Sequence, residues 1–259
     1  MDDIISYNRR AWDQQVDQGN RWTVPVTSEQ TAAARRGEWQ VLLTPRKPVP
    51  ASWFPELAGR KVLALASGGG QQAPILAAAG ARVTLLDNSP RQLEQDRMVA
   101  ERDGLEIETV QGDMRDLSRF PEESFDLVFN PCSLLFVPDV QPVFEHAARV
   151  LRTGGTLMCG FVNPVRFLFD EQKLERRQLS VRHKLPYSDL THLDADELQQ
   201  LRDEGQPYMF SHSLEDMIAG QLRAGLAMLD LFDDSSDSEM ISEYLPVFFA
   251  TLASKVSHG

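Results

Sequence analysis

Between Lys61 and Gln72 the chain reads Lys-Val-Leu-Ala-Leu-Ala-Ser-Gly-Gly-Gly-Gln-Gln. An apolar run of strand length passes directly into three glycines, and an alanine-rich, helix-like segment follows. Glycines let the backbone approach a ligand closely, and the first turn of a helix presents free N–H groups. The stretch therefore predicts a site for a nucleotide-like ligand, although a tight strand-to-helix turn that binds nothing would have the same composition.

Polar side chains end the strand-like runs that come next in the chain. Asp87 and Asn88 follow the run near 82–86, Asp113 follows the run near 107–110, and Asn130 follows the run near 125–129. A further strand is expected near 156–162. Helix-like segments separate these runs, and such alternation predicts a parallel, doubly wound α/β sheet. Because the carboxyl ends of parallel strands share one edge of a sheet, these side chains should lie along the edge where such folds bind ligands.

With these residues the chain resembles the class I (Rossmann-like) S-adenosylmethionine-dependent methyltransferases, in particular the methyltransferase type 11 group. The resemblance is clearest from Lys61 to Gly160, and the order of elements extends it to the C-terminus. It implies a three-layer α/β/α fold with a mainly parallel, seven-stranded sheet. The last strand, Val247–Ala253, should be antiparallel and should lie between its neighbours. The resemblance also implies S-adenosyl-L-methionine as the cofactor.

The resemblance further assigns parts of the cofactor to parts of the chain. The glycine segment should surround the methionine part, Asp87 should bind the ribose, and Asp113 with the backbone of Met114 should bind the adenine. The cofactor-binding residues predicted in this way are Ala66, Ser67, Gly68, Gly70, Gln71, Asp87, Asn88, Asp113, Met114 and Asn130.

Two positions depart from the family pattern. Ala64 stands where the first strand usually carries an acid, and Ala66 replaces the first glycine of the motif. The missing carboxylate normally helps to hold the amino group of the cofactor. Gln71 and Gln72, just beyond the glycines, are candidates to supply polar contacts instead.

Composition limits the class of protein. The net charge of −12 argues against nucleic acid as a partner, because polyanion binding relies on basic surface. No apolar run of membrane-spanning length and no signal pattern occur, so we expect a cytoplasmic protein, a monomer or homodimer, without a membrane partner. No metal site is predicted, because Cys132 and Cys159 form no cluster and no helical histidine pair exists.

Two segments outside the predicted core, 59–162, are candidates to cover the site. Residues 1–58 hold all four tryptophans and five prolines, with helices expected near 4–15 and 28–41. They form either a packing arm or a lid that brings Trp12 or Trp22 to the cofactor. Residues 163–212 contain no convincing strand and are interpreted as a cap over the acceptor site. Residues 213–259 supply a C-terminal helix and the last two strands.

The residue that does the chemistry cannot be assigned from the sequence. Methyl transfer is an in-line displacement in which the protein mainly aligns the reactants, and a base is needed only if the nucleophile arrives protonated. The candidates to contact the acceptor are Trp12, Trp22, Ser133, His183, Tyr187 and His212.

Three functions remain open at this point. The first is a methyltransferase that acts on a small-molecule acceptor. The second is an NAD-dependent oxidoreductase, since Gly68-x-Gly70-x-x-Ala73 also fits a dinucleotide fingerprint; against it, none of the four tyrosines has a lysine four positions on. The third is a non-catalytic S-adenosylmethionine-binding module, which the altered glycine motif would allow.

Overall fold

The structure, a computed structural model, describes residues 3–257. Met1, Asp2, His258 and Gly259, which belong to the predicted arm and C-terminal segment, lie outside the described residues. Within the described range seven strands form one sheet. In chain order they are β1 (Lys61–Leu65), β2 (Arg82–Asp87), β3 (Ile107–Gln111), β4 (Phe125–Asn130), β5 (Leu151–Val162), β6 (Leu226–Asp234) and β7 (Phe248–Lys255).

Helices alternate with the strands of the core and also make up much of the arm and the cap. Across residues 3–257 they are α1 (Ile4–Asp17), α2 (Ser28–Arg35), α3 (Gln72–Ala78), α4 (Pro90–Asp103), α5 (Gln141–Val150), α6 (Glu171–Glu175), α7 (Asp189–His192), α8 (Ala195–Asp203) and α9 (Gly220–Arg223). A π-helical segment, Glu215–Ala219, leads into α9.

The strand order across the sheet is β3-β2-β1-β4-β5-β7-β6. Strands β1 to β5 pair in parallel, whereas β7 is antiparallel to both β5 and β6. The predicted doubly wound sheet of seven strands is therefore confirmed, and its antiparallel last strand lies between two neighbours as expected. The order also reverses between β1 and β4, and this is the point at which ligands bind in open α/β sheets.

Apolar side chains fill both faces of the sheet. On one face α5 packs through Val143, Phe144 and Ala147. On the other face α3 packs through Leu76, together with Leu43 of the arm. Because both faces are covered, the inner strands are almost continuously apolar, as buried parallel strands require.

Local signals in the sequence explain where most helices begin and end. Ser89 caps α4, since its Oγ accepts from the backbone N of Gln92 at 3.0 Å. Pro90 occupies the first turn, and Gly104 ends the helix with a φ of +61°. Proline at the start and a left-handed glycine at the end are the usual helix boundaries.

Two expected boundaries are wrong. Helix α2 ends at Arg35 and not near Val41, because the chain turns at Gly37 with a φ of +85°. Strand β5 begins at Leu151 and not at Thr156, since Leu151 already pairs with Phe125 before an irregularity in the register.

Candidate cofactor and acceptor site

A cavity of about 300 Å³ lies at the carboxyl ends of the strands, on the side of the sheet that the arm covers. Its wall includes many of the residues predicted to bind the cofactor or the acceptor. These are Trp12, Trp22, Ala66, Ser67, Gly68, Gln71, Asp87, Asn88, Asp113, Met114 and Ser133. The wall does not include Gly70, Asn130, His183, Tyr187 or His212, all of which are among the described residues.

The glycine loop between β1 and α3 is held by two carboxylates. Asp87 Oδ2 accepts from the backbone N of Gly68 at 2.9 Å, and Asp96 Oδ2 accepts from the backbone N of Gly69 and Gly70, each at 2.9 Å. A Cβ on Gly68 would come within 2.7 Å of Gln92 Cβ and 2.9 Å of Asp87 Oδ2. Only glycine fits there, so the backbone itself forms the cavity wall.

Asp87 ends β2 and keeps its carboxylate at the cavity. Its Oδ1 accepts from the backbone N of Ser89 at 3.0 Å, in addition to the bond from Gly68. Burial raises the pKa of Asp87 to about 6, although these backbone hydrogen bonds oppose the shift. A carboxylate oxygen has two lone pairs, so both oxygens can still accept a hydrogen bond from a ligand hydroxyl.

Asp113, at the end of β3, is paired with a neighbouring cation. Arg115 donates to its Oδ2 from Nη2 at 2.7 Å and from Nε at 3.0 Å. The pair fixes the orientation of the carboxylate at the cavity wall. Met114 follows it in the chain and is buried.

Beside the glycine loop, two polar atoms of the cavity wall have no hydrogen-bond partner among the described residues. They are Ser67 Oγ and Gln92 Oε1, and both side chains are buried. Buried polar atoms nearly always have partners, so these two fit a ligand that carries its own donor and acceptor groups. Together with the close backbone approach at Gly68, they match the needs of a nucleoside-containing cofactor.

Some of the predicted cofactor residues bind the arm. Gln71 donates from Nε2 to the carbonyl oxygens of Arg21 and Val24, at 2.8 and 2.9 Å. Asn88 donates from Nδ2 to the carbonyl of Ile5 at 2.9 Å. These amides therefore fasten the arm to the glycine loop and to the end of β2.

The next residue, Gln72, also binds the arm, because its Oε1 accepts from the backbone N of Leu42 at 2.9 Å. The arm supplies the outer wall of the cavity. Trp12 packs edge-on against Phe136, with ring centroids 5.1 Å apart. Trp22 lies under the Arg21 guanidinium, whose Cζ is 4.3 Å from the ring centroid.

Asn130 and Gly70 stand behind the cavity wall. Asn130 is fully buried, and its Nδ2 donates to the carbonyl of Leu65 and to Ser133 Oγ, both at 2.8 Å. It therefore positions Ser133, which does line the cavity. The carbonyl of Gly70 accepts from the backbone N of Val26, again a contact with the arm.

The three acceptor candidates from the predicted cap are not at the cavity. Tyr187 donates its hydroxyl to Asp189 Oδ1 at 2.7 Å, and burial raises the pKa of Tyr187 well above its usual range. His183 packs against the Tyr187 ring. His212 contacts the carbonyl of Leu134 through Nε2 at 3.0 Å, and burial lowers the pKa of His212. Tyr187 and His183 therefore pack within the cap, and His212 contacts Leu134, which lies between β4 and α5.

Sequence reasoning missed several residues of the site. Asp96 lies on the buried face of α4 with Leu93 and Val99, and the only signal for it was a carboxylate at apolar helical spacing. Glu239 and Phe248 line the cavity from the C-terminal part of the chain, and no local pattern marked either of them.

Residues 3–257 contain no group of three or more His, Cys, Asp and Glu side chains arranged to hold a metal ion. In the same range, no helix combines the length and apolar character needed to cross a membrane.

Comparison with known proteins places the chain in a family. The profile of a family described as "Methyltransferase domain" matches residues 63–159. A Bacillus subtilis (strain 168) protein, described as the uncharacterized methyltransferase YbaJ, is 47% identical over 256 residues, which cover 99% of this chain and 100% of that protein. A Tropheryma whipplei (strain Twist) demethylmenaquinone methyltransferase is 36% identical over 113 residues, or 43% of this chain and 46% of that protein.

A solved structure agrees at the level of the fold. The S-adenosylmethionine-dependent methyltransferase from Mesorhizobium loti superposes with a TM-score of 0.59 at 18% sequence identity, over 78% of this chain and 94% of that one.

The Bacillus subtilis relative, which aligns over its whole length, decides between the three functions left open, in favour of the enzyme and against the oxidoreductase and the non-catalytic module. The chain belongs to the class I S-adenosylmethionine-dependent methyltransferases, in the methyltransferase type 11 group, and S-adenosylmethionine is its cofactor.

Proposed function

We propose that the enzyme methylates a small, mainly apolar molecule. The cofactor would occupy the part of the cavity formed by Ser67, Gly68, Asp87, Gln92 and Asp113. The acceptor would occupy the part beyond β4, which we name the acceptor end. The acceptor end is lined by Leu42, Leu43, Thr44, Pro45, Cys132, Val162, Glu239 and Phe248.

The observation that carries the proposal is the apolar character of the acceptor end. Strands β5 and β7 lie on the opposite side of β4 from β1 and β2, so Val162 and Phe248 stand apart from the predicted ribose and adenine residues. Burial raises the pKa of the Cys132 thiol, which is therefore neutral and acts as a small apolar side chain. Apolar walls with few polar groups are typical of small-molecule sites.

When bound, the cofactor would supply a methyl group on a sulfonium, whose carbon–sulfur bond breaks as the acceptor attacks the methyl carbon, with a neutral thioether as the leaving group. The protein's part is to align the acceptor and exclude water. The arm serves both purposes, because Trp12 and Leu43 cover the cavity where the sheet would otherwise face solvent. This coverage favours a small acceptor over a nucleic acid, as does the net charge of −12.

Glu239 is the strongest candidate to bind a polar group of the acceptor. No histidine, lysine or tyrosine of the described residues lines the cavity, and the remaining acids there, Asp87 and Asp113, face the cofactor part. Arg166 donates from Nε to Glu239 Oε2 at 2.9 Å and so fixes the carboxylate. We infer that Glu239 accepts a hydrogen bond from the acceptor, and its proton where the nucleophile arrives protonated.

A relative supports the same acceptor class. The Tropheryma whipplei protein is named for demethylmenaquinone, which is a small molecule. Its similarity covers less than half of each chain, so it bears on the class of acceptor and not on the compound.

The test uses the purified enzyme and its own cofactor. Mass spectrometry of the protein as purified would first identify trapped cofactor and any compound beside it. A panel of small apolar acceptors would then be incubated with isotopically labelled S-adenosylmethionine, and labelled products detected. The proposal predicts turnover with members of this panel, and label transfer to nucleic acid or protein alone would contradict it.

A pair of variants locates the acceptor. Val162→Trp fills the acceptor end and should abolish turnover while cofactor affinity stays within about threefold of wild type. Val181→Trp is the control, because Val181 is 70% exposed and outside the cavity. Unchanged turnover in Val162→Trp would place the acceptor elsewhere.

A further inference from the structure

The carboxyl group of Asp96 lies under the glycine loop and accepts from two of its backbone amides. Asp96 is fully buried on α4. Its Oδ2 accepts from the backbone N of Gly69 and of Gly70, each at 2.9 Å. Its Oδ1 has no hydrogen-bond partner among the described residues. One oxygen therefore carries both contacts with the loop.

The loop needs these contacts because its own backbone cannot supply them. Gly69 and Gly70 have φ angles of +111° and +74°, so the chain here is neither strand nor helix. The N–H of Gly69 has a second, longer contact to the carbonyl of Gln92 at 3.2 Å. Asp96 is the acceptor common to both amides, and a buried amide without an acceptor is strongly unfavourable.

This arrangement coincides with a departure in the first strand. Ala64 is fully buried in β1, at the position where the family usually carries an acid. A carboxyl group does approach the loop in this chain, but it comes from α4 on the other side. Because Asp96 does not line the cavity, it holds the loop and does not take over a direct contact with the cofactor.

The loop that Asp96 holds is also the wall of the cofactor part of the cavity. Ser67 and Gly68 precede the two bound glycines directly, and both line the cavity. Gln92 lies one turn before Asp96 on the same helix and lines the cavity as well. A shift of Gly69 and Gly70 would therefore move the surface that faces the cofactor.

We propose that Asp96 is a positioning residue for cofactor binding, and that its Oδ2 fixes the glycine loop from the side away from the cavity. It acts through Gly69 and Gly70 and does not itself line the cavity.

The geometry requires an acceptor and not a charge. A carbonyl oxygen has two lone pairs and can accept from two amides. Burial raises the pKa of Asp96 to about 8, and the nearby Asp87 adds to the shift. The shift favours the neutral acid over the carboxylate, and asparagine, which offers the same acceptor oxygen, should replace it.

The experiment measures S-adenosylmethionine affinity by calorimetry on the full chain at pH 7. Asp96→Ala should weaken binding about tenfold or more, whereas Asp96→Asn should stay within about threefold of wild type. Hydrogen exchange of the peptide that contains Gly69 and Gly70 should become faster in the alanine variant and not in the asparagine variant. If Asp96→Ala does not fold, Asp96→Ser, which is too short to reach both amides, takes its place.

Asp103 provides the matched control. It lies on the same helix, but its carboxylate accepts from the hydroxyls of Ser28 and Thr31 of α2, at 2.7 and 2.8 Å. Asp103→Ala should lower the melting temperature and leave cofactor affinity unchanged. The proposal fails if a folded Asp96→Ala binds the cofactor like wild type. It also fails if Asp96→Asn loses as much affinity as Asp96→Ala, because a charge and not an acceptor would then be required.

Discussion

The arm and the cap differ in a way that their sequences did not suggest. Both segments were expected over the site, and both are largely helical and irregular. The arm contributes side chains along the whole cavity, from Ile5 and Trp12 to Leu43 and Pro45. Residues 163–212, all of which the structure describes, contribute none. The segment that follows β5 in the chain therefore does not cover the site, and the segment that precedes β1 does.

The cap instead holds the arm in place. Asn8 donates from Nδ2 to the carbonyl of Tyr208 at 3.1 Å and accepts from its backbone N at 2.8 Å. Tyr7 stacks on the Tyr208 ring with centroids 4.0 Å apart, and Gln15 donates from Nε2 to the carbonyl of Gly205 at 3.1 Å. The comparison teaches that an insertion can support a site without touching it, by fixing the segment that does.

The largest effect is expected where the arm crosses the sheet. A Cβ on Gly160 would overlap the carbonyl of Leu43, which also accepts from the backbone N of Cys132 at 3.1 Å. Gly160→Ala should therefore displace the arm segment around Leu43, lower the free energy of unfolding by about 3 kcal/mol, and abolish turnover. Chemical denaturation and product formation check this. Cys159→Ala, next to it in β5, should cost only about 1 kcal/mol, and equal losses in the two variants would remove the arm from the explanation.

Two single substitutions, one in the arm and one in the cap, test which segment contributes to binding. Trp12→Ala removes an arm side chain that lines the cavity and should weaken cofactor or acceptor binding about tenfold. Tyr187→Phe removes a hydroxyl in the cap and its bond to Asp189, so it should lower stability by about 1 kcal/mol and change binding less than twofold. Calorimetry and melting curves give both quantities. A binding loss in Tyr187→Phe as large as that in Trp12→Ala would show that the cap does reach the site.

Breaking the connection between the segments should have a smaller effect on binding than on stability. Asn8→Ala leaves the buried backbone N of Tyr208 without an acceptor, at a cost of about 2 kcal/mol, and should loosen α1. Trypsin should then cleave at Arg9 or Arg10 faster. Saturating cofactor should slow cleavage again, because α1 lines the cavity and a bound cofactor would contact it. Cleavage that is unchanged by either the substitution or the cofactor would mean that the arm is fixed independently of the cap.

Much of the fold could be predicted because its signals are local. The apolar runs, the glycines after β1 and the caps of α4 each lie within a few residues of the structure that they specify. The presence of Asp87 and Asp113 at the cavity also followed from their positions at strand ends. Their roles toward the ribose and the adenine stay predictions.

What could not be predicted depends on contacts between distant parts of the chain. The arm, and not the cap, lies at the cavity because of contacts such as the close approach of Leu43 to Gly160 and the hydrogen bonds between Asn8 and Tyr208. Asp96 was missed for the same reason. A carboxylate on an apolar helix face does not reveal its partner in the sequence, and only the structure places the glycine loop against it. Glu239 ends a run of acidic and serine residues, 233–239, and a run of this composition usually forms a solvated loop.

A change of pH should also distinguish the two regions, because each contains an aspartate with a raised pKa. Burial raises the pKa of both Asp87, to about 6, and Asp189 in the cap, but only Asp87 lines the cavity. A raised pKa means that the stability contribution of Asp87 is complete below its ordinary value near 3.8 and is lost as the pH rises through about 6. Cofactor affinity should have the opposite trend, because the ionised carboxylate is the stronger acceptor for ribose hydroxyls.

Between pH 7 and pH 5 we therefore expect affinity for S-adenosylmethionine to fall, by about tenfold at most, while the unliganded protein gains stability from the same group. Asp87→Asn should remove this pH dependence, with affinity already reduced about 10- to 100-fold at pH 7 because a charge-assisted bond is lost. Asp189→Asn should keep the pH dependence of binding, since its partners are Tyr187 and the backbone N of Met209 within the cap. A flat profile in Asp189→Asn, or a wild-type profile in Asp87→Asn, would connect cofactor binding to the cap and reverse the assignment of the two regions.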